Sequence, residues 1–384
     1  MEQRINKFLA DRKEKGLLRN LTPISRFFAG KIYIESKEYI NFSSNDYLAL
    51  AEHPELVSAA LRTFDGRVGI SGSRLMAGTS EMHEELEART AEFKKKEAAL
   101  VFNSGYQANV GIISSLCRKG DCIFTDRLNH ASITDGILLS GAKYFRFRHN
   151  DTDHLEELLR KKRNEYENAL IVTETVFSMD GDIAPIEIIA RLKDKYNCAF
   201  MVDEAHATGI FGSNGEGMVS ARNLSDKIDI IMGTFSKALG SFGAYAAMSA
   251  NMRDYMINIC RSFIYSTSLP CAIIAANLKA IDLVVKENHR RNVLLENSIF
   301  LREKLKDNGF KTKGESQIVP VIIGGNEEAL MISNRLKEKG FWAVAVRPPT
   351  VPAGEARLRL SLTFNHTRDM LKSFVTELCR AREV

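Results

Sequence analysis

The sequence predicts an α/β fold, with a large domain built on a mostly parallel central sheet flanked by helices and a smaller C-terminal α+β domain. Three observations lead to this prediction. From about residue 84, segments with helical periodicity alternate with short apolar segments, which is the element order of a parallel sheet. The apolar segments are continuous, as at residues 199–202, and strands buried on both faces have this composition. After about residue 271, a long helix precedes a mixture of strands and helices that is typical of a smaller α+β domain.

The first part of the chain is predicted to form helices and a pair of short strands. Residues 4–15 have the spacing of an amphipathic helix, and Gly16 should end it. Two short strands are expected at residues 31–34 and 39–42. A further helix is expected at residues 53–64, because its proline fits the first turn.

The middle of the chain accounts for the main sheet and the helices that cover it. Helices are expected at residues 84–96, 107–117, 131–140, 153–165 and 185–195. Strands are expected at residues 99–102, 122–125, 143–147, 169–174, 198–202 and 228–232. This alternation predicts helices on both faces of the sheet.

The remaining elements define the predicted domain boundaries. One long helix is expected at residues 271–306, and the tail should contain strands at 318–323, 342–346 and 357–362 with helices at 327–339 and 367–381. We therefore expect an N-terminal helix and short strands in residues 1–50, a large α/β domain in 51–285, and a small α+β domain in 286–384.

Composition and charge exclude several classes of protein. The chain has 384 residues, of which 45% are hydrophobic and 26% charged, so it is neither mostly disordered nor collagen-like nor a coiled coil. The formal net charge is +5, which is mild for this length. That charge could favour an anionic substrate, but the basic residues are not clustered as in nucleic-acid-binding proteins. No nucleic-acid partner is expected.

The cysteines and the N-terminus predict a cytoplasmic protein without a membrane partner. The six cysteines include no C-x-x-C motif and no zinc-like spacing, so we expect reduced thiols and no metal site. The first residues are too charged for a signal peptide. The most apolar long segment, residues 269–285, contains Lys279 and Asp282 and is a poor candidate for a membrane span.

Polar residues follow each predicted strand of the main sheet. Because ligands bind beyond the carboxyl ends of parallel strands, these residues are candidates for a site. They occupy positions 103–107, 125–130, 173–181, 203–206 and 233–237.

Asp203-Glu-Ala-His206 allows three interpretations. It could be a capped strand end with a structural histidine, a metal site, or the DEAH box of a nucleic-acid helicase. The helicase requires a phosphate-binding loop of the form G-x-x-x-x-G-K-[ST]. The chain has no such loop, because its only Gly-Lys pair, Gly30-Lys31, is followed by Ile32. The motif therefore does not favour an RNA-stimulated ATPase.

Lys237 and Asp203 together indicate a different chemistry. Lys237 follows an apolar strand among small and polar residues; it could be an ordinary surface lysine or, in a cleft, a Schiff-base nucleophile. Pyridoxal 5′-phosphate requires a lysine for its aldehyde and an anion beside its ring nitrogen. Ser104-Gly105-Tyr106, placed before a helix, could bind the phosphate.

The segment Gly69–Gly78 is glycine-rich but is not a dinucleotide-binding motif, because its glycine spacing differs and no predicted strand precedes it. It could be a flexible surface loop or a loop near the active site. The sequence alone supports both interpretations equally.

Six motifs in order give the chain its resemblance to the α-oxoamine synthases, pyridoxal-phosphate enzymes with the aspartate-aminotransferase fold (fold type I). The motifs are Asn41–Leu48, Asn129–Ser132, Val176–Gly181, Val202–His206, Thr234–Lys237 and Tyr265–Ser268. Members of this family condense an amino acid with an acyl-CoA. The resemblance implies the same fold, cofactor and type of reaction here.

Within the family, Arg347–Gly354 and Arg357–Leu360 resemble the members that act in biotin synthesis. These join L-alanine to pimeloyl-CoA, or to a pimeloyl thioester on an acyl carrier protein, and release CO₂ and CoA. The alternative is a sister enzyme that uses glycine or serine with another acyl-CoA, such as a glycine C-acetyltransferase or a serine palmitoyltransferase.

The resemblance implies roles for four residues around the cofactor ring. Lys237 matches the lysine that binds the aldehyde and moves the α-proton, and Asp203 matches the residue paired with the ring nitrogen. His206 matches the partner of the ring hydroxyl, and His130 matches the imidazole stacked on the ring, next to the substrate.

Further cofactor and substrate residues follow from the same resemblance. Ser178 matches a cofactor contact, and the phosphate-side positions are Gly105, Tyr106 and Thr234. Ser266 and Thr267 match a segment that reaches the phosphate of the other subunit, which implies a homodimer with shared active sites. On the substrate side, the resemblance implies an amino-acid carboxylate clamp at Arg359, contacts at Thr350 and Asn45, and an acyl contact at Arg19.

Overall fold

The computed structural model describes residues 1–63 and 67–383. Within this range the chain divides into two compact units. The larger unit comprises Leu48–Ser178 and Ile183–Arg291. The smaller unit comprises Met1–Tyr47, Met179–Asp182 and Asn292–Val384.

The helices and strands have the following bounds. The strands are β1 (Arg26–Phe28), β2 (Lys31–Ile34), β3 (Lys37–Asn41), β4 (Ala98–Phe102), β5 (Cys122–Asp126), β6 (Lys143–Phe147), β7 (Ala169–Glu174), β8 (Ala199–Asp203), β9 (Ile230–Thr234), β10 (Ala244–Met248), β11 (Lys311–Thr312), β12 (Ile318–Gly324), β13 (Phe341–Trp342), β14 (Ala345–Val346) and β15 (Ala356–Ser361). The helices are α1 (Glu2–Glu14), α2 (Pro54–Arg62), α3 (Glu81–Lys94), α4 (Gly105–Leu116), α5 (Ala131–Ser140), α6 (Thr152–Lys162), α7 (Ile186–Lys195), α8 (Met218–Ala221), α9 (Ala250–Ile259), α10 (Arg261–Ile264), α11 (Cys271–Lys286), α12 (His289–Asp307), α13 (Asn326–Glu338) and α14 (Arg368–Arg382).

The larger unit contains a seven-stranded sheet with the order β4-β10-β9-β8-β7-β5-β6. Strands β5 to β9 pair in parallel, and β10 is antiparallel to both of its neighbours. The register sets Glu174 beside Asp203 and Asp203 beside Met232. The carboxyl ends of the central strands therefore lie side by side, and the predicted α/β class with a mostly parallel sheet is confirmed.

Helices α4 and α5 pack on this sheet and share a hydrophobic core with it. Ile112 and Ile133 are fully buried there, together with sheet residues such as Val172. A Cβ atom at Gly136 would lie 3.0 Å from the backbone oxygen of Asn109, so the glycine permits close packing of the two helices. The core thus fixes α4 and α5 against the strands whose ends carry the candidate residues.

The smaller unit contains two four-stranded sheets, with the orders β1-β2-β3-β13 and β11-β12-β15-β14. The predicted strand at 342–346 is wrong, because β13 and β14 belong to different sheets. β13 pairs in parallel with β3, and β14 pairs antiparallel with β15. The chain leaves one sheet and enters the other within this segment.

Several further elements differ from the predictions, and a helix and a strand show the reasons most clearly. The helix predicted at 271–306 is two helices, because α11 ends at Lys286 and α12 begins at His289. Strand β10 was not among the predicted elements: three of its five residues are alanine, which carries little strand signal, although all five are buried. The predicted end of the second helix, at residue 64, lies outside the described residues.

No helix in the described ranges combines the length and the apolar content that crossing a lipid bilayer requires.

Buried His366 gives the smaller unit an expected pH dependence. Burial lowers the pKa of His366 to about 4, and its ring stacks on Phe42 at 4.4 Å. The unfolded chain takes up this proton near pH 6.5, so stability that is complete above that pH should fall as the pH drops towards 4. Between pH 7 and pH 5, the free energy of unfolding of His366→Gln should fall by about 2 kcal/mol less than that of the wild type.

Urea unfolding followed by the fluorescence of Trp342, the only tryptophan, measures this difference. His154→Gln, at a half-buried histidine of α6, is the control for the replacement of an imidazole by an amide. Parallel profiles for His366→Gln and the wild type would contradict the prediction.

Candidate active site

Asp203 lies at the carboxyl end of β8 and is 5% exposed. Its Oδ1 accepts a hydrogen bond from the backbone N–H of Ala205 at 2.8 Å. Its Oδ2 accepts one from the Asn109 side chain at 2.8 Å. The carboxylate is thus held in place by two donors, and it is available as a fixed anion at the end of the sheet.

Lys237 follows β9 and lies beside His206. The distance between Lys237 Nζ and His206 Nε2 is 2.8 Å. His206 is buried, whereas Lys237 is only partly covered. The pair joins positions 31 residues apart in sequence. An amine held against an imidazole can exchange a proton with it.

His130 is the N-cap residue of α5, and its conformation is fixed on two sides. Its backbone N–H donates to Glu174 Oε1 at 2.6 Å, and its Nδ1 lies 2.7 Å from the hydroxyl of Ser132. Burial lowers the pKa of His130, although the charge of Asp203 opposes this effect. The lowered pKa favours the neutral form of the imidazole.

Glu174 was missed as a functional candidate by the sequence analysis, which noted it only as a strand end. It is 3% exposed at the end of β7, beside Asp203 in the sheet register. Burial, together with the charge of Asp203, raises the pKa of Glu174 well above its usual value. No local motif indicates that Glu174 lies beside Asp203, because this arrangement depends on the pairing of β7 with β8.

Gly105, Tyr106 and Thr234 lie close together at the N-terminus of α4. Ser104 caps this helix by accepting a hydrogen bond from Gln107 N–H, and the first N–H groups of a helix favour anions. A Cβ atom at Gly105 would lie 2.8 Å from Thr234 Cγ2. Thr234 Oγ1 is buried and has no hydrogen-bond partner among residues 1–63 and 67–383. These features fit a phosphate group.

The glycine-rich segment Gly69–Gly78 packs against the segment that contains Ser266 and Thr267. Ser73 forms an isolated β-bridge with Thr267, and a Cβ atom at Gly78 would lie 2.3 Å from Ser268 Oγ. Within the chain, Ser266 Oγ is 3.4 Å from Gln107 Nε2, next to the start of α4. The packed arrangement favours the second interpretation of this segment, a loop near the candidate site.

Ser178 is half-buried in the turn that follows β7, in the larger unit. The six cysteines are all free, and Cys117, Cys122, Cys198 and Cys260 are buried.

Glu204 has a structural position rather than the metal-binding or helicase role considered from its motif. Lys94 Nζ lies 2.5 Å from Glu204 Oε2, and both side chains are at most 1% exposed. Glu204 Oε1 also accepts a hydrogen bond from Val219 N–H. Burial alone would lower the pKa of Lys94, but the charge of Glu204 raises it above its usual value. This ion pair anchors the segment between Asp203 and His206.

Replacing Lys94 with methionine should strongly destabilise the protein, because it leaves the Glu204 carboxylate buried without its partner. We expect the free energy of unfolding to fall by about 3–5 kcal/mol, measured by urea unfolding. Lys195→Met removes the exposed pair with Glu156 and should cost at most about 1 kcal/mol. Equal losses in the two variants would contradict the anchoring role.

Arg359 is the centre of a polar cluster in the smaller unit. It lies half-buried on β15 and donates from Nη1 to Ser361 Oγ at 2.5 Å and to Asn45 Oδ1 at 3.3 Å. Nη2 lies 3.5 Å from the hydroxyl of buried Tyr47. These oxygen atoms orient the guanidinium, and an arginine held in a fixed orientation can form two parallel hydrogen bonds to a carboxylate.

Arg19 and Thr350 also meet in the smaller unit. Arg19 Nη2 donates to Thr350 Oγ1 at 2.9 Å, and both residues are exposed. Arg347, three residues before Thr350, donates to the backbone oxygen of Gly16. The two positions that the family resemblance assigned to substrate contacts are therefore neighbours, although they are far apart in sequence.

The predicted residues fall into two groups. Lys237, His206, Asp203, His130 and the phosphate-side residues belong to the larger unit; Arg359, Asn45, Thr350 and Arg19 belong to the smaller unit. Ser361 and Tyr47 beside Arg359, and Asn109 and Glu174 beside the first group, were not predicted.

The first group fits pyridoxal 5′-phosphate. It contains an amine, a buried carboxylate and a buried hydroxyl, Thr234 Oγ1, that has no hydrogen-bond partner in the described part of the chain. Together with the start of α4, these groups match the aldehyde, the ring nitrogen and the phosphate of the cofactor.

The chain is similar to curated proteins across nearly its whole length. A family model described as aminotransferase class I and II matches residues 37–378. The chain is 48% identical over 357 residues to 8-amino-7-oxononanoate synthase of Citrifermentans bemidjiense, and this match covers 92% of each chain. It is 49% identical over 364 residues to the protein of the same name from Geobacter metallireducens, which covers 94% of this chain and 93% of the other.

Solved structures give the same fold. Serine palmitoyltransferase of Sphingomonas wittichii superposes with a TM-score of 0.93 at 31% identity, covering 99% of this chain and 97% of the other. A structure described as SPT with PLP has the same TM-score and identity, and covers 99% of this chain and 98% of that one.

Proposed function

Because the chain belongs to the aminotransferase class I and II family, we propose that it catalyses the decarboxylating condensation of L-alanine with a pimeloyl thioester. The products are 8-amino-7-oxononanoate, CO₂ and the thiol of the donor, which is CoA when the donor is pimeloyl-CoA, in biotin synthesis. The observation that carries the proposal is identity of 48% and 49% to two synthases of this name over more than nine-tenths of each chain.

We propose that pyridoxal 5′-phosphate is the cofactor and is bound by the larger unit. When bound, it supplies an aldehyde that links to an amine and a ring that takes up negative charge from the α-carbon of an amino acid. Lys237 would hold the aldehyde, and the buried Asp203 carboxylate would face the ring nitrogen. Gly105, Tyr106 and Thr234 would hold the phosphate, with Ser178 as a further contact.

Lys237 and the imidazole of His206 would carry out the proton transfers. Lys237 Nζ is suited to remove the α-proton of alanine and to return a proton after CO₂ has left. His206 Nε2, at 2.8 Å from that amine, can hold the amine in position and share its proton. His130, whose lowered pKa favours the neutral ring and which is fixed by two contacts, would cover the ring face beside the substrate.

Arg359 and its neighbours would bind the amino acid. The guanidinium is oriented by Ser361 and Asn45, so a carboxylate can pair with it without a large rearrangement. Arg19 and Thr350 would contact the acyl substrate. The mild positive charge of the chain is consistent with an anionic acyl substrate.

We further propose a homodimer in the cytoplasm. Tyr265 is 71% exposed directly before Ser266, and exposed aromatic residues are enriched at protein interfaces. Ser266 and Thr267 would then serve the phosphate site of the partner. The free cysteines support a reducing compartment. A second partner in this proposal is an acyl carrier protein, as a donor of the pimeloyl group.

The alternative is a sister condensing enzyme that uses serine or glycine. The structural similarity to serine palmitoyltransferase, with a TM-score of 0.93, supports this alternative. Its identity to this chain is lower, at 31%, than that of the two synthases.

A substrate panel tests the proposal. The purified protein is supplied with pyridoxal phosphate and offered L-alanine, glycine or L-serine, each with pimeloyl-CoA, acetyl-CoA or palmitoyl-CoA. Thiol release is followed with a colorimetric reagent and the product is identified by mass spectrometry. We expect turnover with alanine and pimeloyl-CoA; a preference for glycine or serine would overturn the proposal. A pimeloyl carrier-protein thioester, added in a parallel series, compares the two donors.

A further inference from the structure

Two buried polar side chains, Asn109 and Ser132, lie between Asp203 and His130. We infer that they form a hydrogen-bonded bridge that positions Asp203 and fixes the tautomer of His130. The functional part of this inference rests on the proposed function, because that function assigns Asp203 and His130 to the cofactor ring. The geometric part stands on the cofactor-free protein.

The first half of the bridge is the Asn109 amide. Its Nδ2 donates to Asp203 Oδ2 at 2.8 Å and to Ser132 Oγ at 3.0 Å. The orientation of the amide is determined, because a carboxylate only accepts hydrogen bonds and would repel the amide oxygen. Both N–H groups of the amide are therefore used, one on each neighbour.

The second half is the Ser132 hydroxyl. It accepts from Asn109, so its own hydrogen is available to His130 Nδ1, which lies 2.7 Å away. The backbone N–H of Ser132 also donates to this nitrogen, at 3.3 Å. A nitrogen that accepts two hydrogen bonds carries no hydrogen, so the proton of the neutral ring is on Nε2. One continuous chain of hydrogen bonds thus joins the Asp203 carboxylate to the His130 ring.

Without such a role, Asn109 would only reduce the stability of the fold at this position. It lies inside α4 and is 1% exposed, where leucine would form a better helix and bury more apolar surface. Its Oδ1 is buried and has no hydrogen-bond partner among residues 1–63 and 67–383. A buried acceptor without a donor destabilises the fold. The two hydrogen bonds that the amide N–H groups donate in the bridge offset this destabilisation.

The tautomer is measured directly on cofactor-free protein. Two-bond ¹H–¹⁵N spectra of histidine-labelled protein at about pH 8 distinguish Nε2–H from Nδ1–H, and the His130 signals are assigned with His130→Gln. We expect Nε2–H in the wild type and a smaller fraction of Nε2–H in Ser132→Ala, because only the longer contact from the backbone N–H, at 3.3 Å, is then left at Nδ1. Ser132→Thr keeps the hydroxyl and should restore Nε2–H. Nδ1–H in the wild type, or an unchanged spectrum in Ser132→Ala, would overturn the inference.

The positioning role is tested with bound cofactor. Asn109→Leu and Ser132→Ala should each shift the visible circular dichroism of the cofactor and lower kcat about tenfold to a hundredfold. The double variant should lose little more than the worse single variant, because the two residues act as one unit. Multiplicative losses in the double variant, or an unchanged circular dichroism spectrum in both single variants, would overturn the role.

Matched controls come from the smaller unit. Asn297 and Ser298 are buried like Asn109 and Ser132, and each donates one side-chain hydrogen bond, to His366 O and Leu294 O respectively. Asn297→Leu and Ser298→Ala should lose stability without changing the cofactor spectrum. The tautomer result does not depend on any substrate, so failure of the substrate panel and failure of the bridge are separate outcomes.

Discussion

Lys237→Ala is expected to lose the visible absorption of the bound cofactor and at least about 10³-fold in turnover. The physical reason is that one amine is assigned two tasks, the covalent link to the aldehyde and the transfer of the α-proton. Absorption spectra of the purified variant and the rate of thiol release measure both effects. His206 remains in place in this variant, so residual binding of the cofactor without a covalent link is expected.

The assignment of Lys237 is checked by borohydride reduction of the wild type followed by peptide mapping. The label should fall on the peptide that contains Lys237. Lys227→Ala is the control, because Lys227 is an exposed lysine of the same unit that pairs only with Asp194 among the described ion pairs. A label on another lysine would show that the assignment is wrong.

Asp203→Asn is expected to keep part of the cofactor binding but to lower kcat by about 10²–10⁴-fold. An asparagine keeps the size of the side chain and removes its charge, so the ring nitrogen is no longer held protonated by an adjacent anion. In the wild type the Asn109 amide donates to the Asp203 carboxylate at 2.8 Å. In the variant the same amide lies against the new asparagine side chain. Single-turnover kinetics and cofactor titration separate the loss of turnover from the loss of binding.

Asp194→Asn is the matched control for charge, since Asp194 is an exposed carboxylate of the larger unit that pairs with Lys227. It should behave like the wild type in both measurements. Turnover near the wild-type value in Asp203→Asn would show that the ring nitrogen does not depend on this carboxylate.

Most elements of the larger unit could be predicted because their signals are local. The strand predicted at 169–174 has those bounds in the structure, and so does the helix predicted at 131–140. Continuous apolar segments of five or six residues are enough to mark buried strands. The break between α11 and α12 was missed, because residues 286–289 contain no glycine or proline that would mark it.

The candidate site was predicted in part. Lys237 and Asp203 follow apolar strands, so their positions could be deduced from strand ends alone. Glu174 and Asn109 could not be identified in this way. Glu174 is next to Asp203 only through the pairing of β7 with β8, and Asn109 reaches Asp203 across 94 residues of sequence.

Local patterns in the sequence are sufficient to predict the fold class, the ends of the strands where chemistry is possible and, through the motifs, the cofactor. The contacts between distant side chains follow only from the folded chain: Lys237 with His206, Lys94 with Glu204, and Arg359 with Asn45. The folded chain also shows the directions of the pKa shifts of His130 and Glu174. The physical reason is that periodicity is a property of neighbouring residues, whereas desolvation and hydrogen bonding depend on atoms brought together from distant parts of the chain.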